Sequence, residues 1–176
     1  MGNQVPITPA NYQTLAEDDG PKHGILTNEN DEVILKIGSF NDNEGNAYPS
    51  ADAGVIGGDD NNSEPANTRP DDEDGLDVDN LPFFILTRTT TLAIPVMNMT
   101  DEDATLAAFI DYNKDGAFDP LTERYTVEVP VGATSVNLEI GPIPADAVVG
   151  QDVGLRLRLA NDMADVVIAT GCAFSG

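Results

Sequence analysis

The sequence predicts an all-β chain: an antiparallel β-sandwich of Ig-like or jelly-roll-like kind, with a long acidic loop excursion. Three observations carry that expectation. Short runs alternate apolar and polar residues, most cleanly over 153–159, where Leu155, Leu157 and Leu159 take one face and Arg156 and Arg158 the other. Clusters of Gly, Pro, Asn and Asp separate these runs at regular intervals. No segment carries a long helical stripe.

Taken in order, residues 1–30 are loop-like, punctuated by Pro6, Pro9 and Pro21. Residues 33–37 form a first strand, β-branched and bounded by Asp31 and Gly38. Residues 83–86 read as a buried strand and 89–97 as another, with Pro95 marking a sheet edge or bulge. Asp101-Glu-Asp103 turns the chain into a strand over 105–112. Residues 124–129 and 135–140 alternate and are joined by a turn over 130–134. The predicted core takes Leu155, Leu157 and Leu159 together with Phe109 and Val127.

At 176 residues the chain suits one domain, residues 1–176, with 41–80 as an insertion. It is long enough to bury a core without disulfides. The net charge of −23, from 31 Asp and Glu against 8 Lys and Arg, argues against nucleic acid and anionic membrane surfaces. It also implies self-repulsion that bound cations would relieve. No apolar run approaches the roughly 18 residues of a membrane span. The opening Met1-Gly2-Asn3 reads as an added start or a trimmed mature end, and Pro6 stands where a myristoylation signal prefers Ser or Thr.

Catalytic equipment is sparse. His23 has no nucleophile motif around it and reads as a structural residue pinning a loop. The single cysteine, Cys172, reads as a small buried hydrophobe. Carboxylates abound, but a glycosidase dyad usually comes with aromatic sugar platforms, and the chain has no Trp. The expectation is therefore a protein that is not an enzyme. Asn61-Asn-Ser63 and Asn98-Met-Thr100 are formal glycosylation sequons.

The most informative stretch is Asp111-Tyr-Asn-Lys-Asp-Gly-Ala-Phe-Asp119, followed by Pro-Leu-Thr-Glu123. Oxygen-bearing side chains alternate at Asp111, Asn113 and Asp115 around a turn enabled by Gly116. Ca²⁺ takes six to eight oxygens at roughly 2.3–2.6 Å, which such a turn supplies. The spacing predicts one Ca²⁺ held by Asp111, Asn113, Asp115, the Ala117 carbonyl and Asp119, with Glu123 direct or through water. Relative to an EF-hand loop, the closing acid falls one position late, at Glu123 rather than at Thr122. Strand-like flanks place the loop on a β-scaffold.

Residues 41–80 hold twelve acidic residues and one basic residue, Arg69. Composition alone reads this as a solvated acidic linker. So long an excursion within a compact domain also invites a metal-ordered reading. Two like charges 4 Å apart cost about 4 kcal/mol at an effective dielectric near 20. Ordering the stretch thus predicts a further Ca²⁺ site or cluster from Asp59, Asp60, Asp71, Asp72, Glu73 and Asp74.

The order of motifs resembles the GEVED-type domain of bacterial secreted and cell-surface, adhesin-like proteins. Tyr12-Gln-Thr-Leu15, Gly20-Pro-Lys-His-Gly24, Gly58-Asp-Asp60, Ile143-Pro-Ala-Asp146 and Leu155-Arg-Leu-Arg-Leu159 follow one another. Asp71-Asp-Glu-Asp-Gly75 paired with Phe109-Ile-Asp-Tyr-Asn-Lys-Asp-Gly-Ala-Phe-Asp119 is the specific part. The resemblance implies a β-sandwich in an extracellular multidomain protein, structural or adhesive. Its expected partners are neighbouring domains, copies of itself, or a surface protein or glycan. The sequence departs from the family pattern at both ends, before Tyr12 and at Ser175-Gly176. An alternative expectation follows: a subunit of an extracellular fibre, assembled by strand complementation between copies.

Overall fold

The computed structural model describes residues 22–38, 84–150 and 153–173. Its strands are β1 (Lys22–His23), β2 (Leu35–Ile37), β3 (Thr90–Asn98), β4 (Ala104–Ile110), β5 (Arg124–Val129), β6 (Ser135–Ile140), β7 (Leu155–Ala160) and β8 (Cys172–Ala173). One antiparallel sheet runs β2-β3-β6 and a second runs β5-β4-β7, while β1 and β8 form a short parallel pair. A 3-10 turn, Met163–Val166, follows β7.

The two antiparallel sheets pack face to face as a sandwich. Leu92, Ile94, Val96, Val136, Leu138 and Ile140 project from one sheet into a core shared with Leu106, Ala108, Ile110, Val129 and Leu159 of the other. Strict alternation produces this face in β3 and β6, where every second residue is buried. Leu155, Leu157 and Val127 pack against the same core, as the alternation predicts, although they are only partly buried.

Phe109 departs from expectation. It points to the opposite face of β4, into a second cluster with Ala107, Ala160, Val166 and Ala169. β4 is the middle strand and is buried on both faces, so its apolar run carries no alternation to tell the faces apart. Residues 84–86 differ too. Leu86 makes one isolated bridge, to Ile143, and Ile85 is exposed. Pro95 lies on a central strand, but opposite Gly38, just beyond the end of β2. Gly38 N donates to the Pro95 carbonyl at 2.9 Å, and nothing is asked of the missing proline donor.

The outer face of the β5-β4-β7 sheet is covered by the chain after β7. Val166 and Ala169 bury their side chains on Phe109, and Phe118 meets Phe109 edge-on at 6.2 Å between ring centroids. The arginine face of β7 is therefore not solvated. Arg158, 0% exposed, donates to the carbonyls of Ile168 (3.0 Å), Thr170 and Gly171 (3.1 Å). Arg156 donates to Ala169 O at 2.9 Å and lies over the Phe118 ring at 5.1 Å. Arg124 reaches the carbonyls of Val166 and Val167 at 3.3 and 3.2 Å. The three guanidiniums clasp this tail by its backbone.

Asn98 is likewise buried. Its amide nitrogen donates to Glu102 O (3.0 Å) and Val129 O (2.9 Å), and its oxygen accepts from Thr100. The sequon at Asn98 is thus a structural knot at the β3–β4 turn, and the fold leaves its nitrogen no room for a glycan. The sequon at Asn61 lies outside the described residues, as do Asp59, Asp60, Asp71, Asp72, Glu73 and Asp74.

Candidate metal centre

The loop 111–123 joins β4 to β5. Their ladder ends with Phe109 opposite Arg124, and Ile110 N then donates to Glu123 O at 2.9 Å, closing the loop at its neck. Asp111 N donates to Gly154 O at 3.0 Å, and Val148 N to Tyr112 O at 2.8 Å, so the loop base is fixed to the segment leading into β7.

Asp111 is 0% exposed. Its Oδ1 accepts from Asp115 N at 3.2 Å and its Oδ2 from Gly116 N at 3.0 Å. Asn113 Oδ1 accepts from Asp115 N at 2.8 Å, and Asn113 Nδ2 donates to Asp115 Oδ2 at 3.0 Å. Asp115 Oδ1 accepts from Ala117 N at 2.9 Å. Each short side chain thus bends the backbone back on itself two to five residues on, as Asn and Asp do in turns. The bend requires left-handed backbone at Lys114 (φ 57°) and Gly116 (φ 86°), cheap only for the glycine.

Glu123 is 4% exposed. Its Oε1 accepts from Tyr112 N at 3.0 Å and its Oε2 from Asp119 N at 2.9 Å, bracing the loop across its width. Burial, together with the nearby charge of Asp111, pushes the Glu123 carboxyl above its ordinary range. Asp119 takes a different part. Its Oδ1 accepts from Leu121 N at 2.8 Å and its Oδ2 from Thr122 Oγ1 at 2.9 Å, caps that hold its carboxyl below the usual range. Tyr112 packs edge-on between Phe84 and Tyr125, and burial drives its hydroxyl well above the ordinary tyrosine range.

The structure therefore brings Asp111 and Glu123 together at the buried base of the loop. It sets Asn113 and Asp115 side by side at the exposed rim, and turns Asp119 onto its own following turn. Among the described residues no three acidic, histidine or cysteine side chains converge on a common point. The available donors are all oxygens, the chemistry a hard cation takes. The buried Glu123 carboxyl, raised by desolvation and by the charge of Asp111 beside it, is a group that a divalent ion would relieve. On those grounds the donor chemistry of these residues fits Ca²⁺. The one-residue slip of Glu123 gave no sign that its carboxylate braces the loop from within.

Cys172 is exposed, not buried as its residue type suggests. The arginines of the clasp carry no motif, and only the alternation of β7 hinted at them.

Comparison with curated proteins and with solved structures gave no match. The family model described as the GEVED domain matches residues 105–176. That stretch holds nearly all of β4, the acidic loop, β5, β6, β7 and the clasped tail. Over residues 105–176 the chain is thus similar to the GEVED domain.

Proposed function

We propose that the protein is a calcium-stabilised β-sandwich module of a bacterial surface or secreted protein, with a structural or adhesive role. The observation that carries the calcium reading is the juxtaposition of Asp111 and Glu123, both buried, beneath an Asp-x-Asn-x-Asp-Gly turn. Asp111, Asn113, Asp115, the Ala117 carbonyl and Glu123 would hold the ion, and Asp119 would keep Glu123 in place through its own amide. Bound there, Ca²⁺ would neutralise the buried pair and tie β4 to β5. The GEVED match supports the extracellular setting. On this reading the partners are neighbouring domains, or protein or glycan ligands at a surface. The fibre alternative has less support, because β8 already pairs with β1 of its own chain.

Calorimetric titration of the metal-stripped protein tests the proposal. The site at 111–123 is expected to be lost in Glu123→Gln and retained in Asp119→Asn with reduced affinity. A melting temperature unmoved by EDTA, in a sample shown to start with bound calcium, would overturn it.

A further inference from the structure

The described body begins and ends in one strand pair. β1 and β8 are parallel, with Lys22 opposite Cys172 and His23 opposite Ala173. In a parallel pair, the chain upstream of the first strand leaves at one end, and the chain downstream of the second leaves at the other. Drawing the two ends of the protein apart therefore slides β1 along β8. Every hydrogen bond between them is strained at once. An antiparallel pair pulled from one end is instead peeled bond by bond.

What lies immediately before β8 strengthens this arrangement. Residues 166–171 are held by Arg124, Arg156 and Arg158, rooted in the two strands that flank β4. Hydrogen bonds from a charged donor are the stronger kind. They bind main-chain carbonyls, so tension that passes beyond β8 meets six more bonds across the tail before it reaches the sheet. We propose that the β1–β8 pair and the arginine clasp form a tension-bearing lock, which resists end-to-end force selectively. The inference is independent of calcium, and it adds to a surface role the ability to carry mechanical load.

The molecule contains its own control. Asp101 precedes β4 and Val131 follows β5, both exposed, and β4 and β5 are antiparallel with Ala104 opposite Val129. Pulling from 101 and 131 peels that pair from its open end. It has six paired positions against two for β1–β8, so bond number alone would make it the stronger.

Single-molecule force measurement on the whole chain in EDTA decides the matter. Handles go on the two termini, or on Asp101→Cys and Val131→Cys in a Cys172→Ser background. At equal force the termini-pulled protein is expected to survive longer, because forced unfolding reads the barrier along the pulled direction. Arg156→Met should shorten that lifetime about tenfold and leave the 101/131 lifetime nearly unchanged. A termini-pulled lifetime equal to or shorter than the 101/131 lifetime would overturn the proposal. So would an Arg156→Met effect of the same size in both geometries, which would mark the clasp as a general stabiliser.

Discussion

The acidic loop 111–123 and the tail 162–171 solve one problem with opposite charges. Both are irregular backbone laid against the sandwich, and both must satisfy groups that no ladder reaches. In the loop, carboxylates accept from the amides of Tyr112, Asp115, Gly116, Ala117 and Asp119. In the tail, guanidiniums donate to the carbonyls of Val166, Val167, Ile168, Ala169, Thr170 and Gly171. The difference lies in what remains afterwards. The loop gathers like charge at its buried base, which a cation would relieve. The tail brings its cations with it, and burial draws Arg158 below the usual arginine range. On the calcium reading, one region is conditional on its surroundings and the other is self-sufficient.

The largest way to break this contrast is Arg158→Met. The substitution keeps apolar bulk but leaves the carbonyls of Ile168, Thr170 and Gly171 without their donor. A loss of about 3 kcal/mol is expected, since charged hydrogen bonds contribute about 1.5–3 kcal/mol each and do not add fully. Urea denaturation measures it, and proteolysis should cut first within 166–171. An unchanged midpoint would mean that Arg124, Arg156 and the apolar contacts of Val166 and Ala169 hold the tail without Arg158.

The same contrast explains what the sequence could reveal. β5 and β6 are edge strands with one face wet, and their alternation places their boundaries and inward faces correctly. β4 is covered on both sides, so Phe109 could not be assigned a face from pattern. The loop was legible because side chains that steer a turn must be Asp, Asn and Gly at set spacing. The clasp was not, because its acceptors are main-chain carbonyls that any residue offers. Asp119 illustrates the limit within the loop, where spacing marks it as an oxygen donor but does not reveal that its carboxylate also accepts from Leu121 and Thr122.

Calcium supplies the second test, and it should touch only the loop. If the ion binds the native state alone, a free concentration a hundredfold above Kd adds about 2.7 kcal/mol. The pH response should change sign with it. The Glu123 carboxyl is raised in the folded protein. Without metal its contribution is therefore full below the unfolded carboxyl range, and is lost as pH rises through the raised folded value. With metal, affinity requires the carboxylate, so stability should rise over the same interval. Melting curves at a series of pH values, in EDTA and in calcium, check both slopes. Parallel curves would detach Glu123 from the ion.

The smallest expected effect discriminates most finely, because each region has one glycine in left-handed backbone. Gly116 has φ 86° and Gly171 has φ 78°. A Cβ at Gly171 would meet only Ile168 Cδ1, at 4.0 Å, so the penalty there is conformational. Each Gly→Ala change should therefore cost about 1 kcal/mol in EDTA. Calcium should separate them. Gly116 N donates to Asp111 Oδ2, and straining that turn moves the carboxylate the proposed ion would need, so Gly116→Ala should lose more stability in calcium than in EDTA. Gly171→Ala should lose the same in both, since the carbonyl of Gly171 answers to Arg158 and not to a metal. Equal behaviour of the two variants in calcium would show that the loop, like the tail, stands on its own hydrogen bonds.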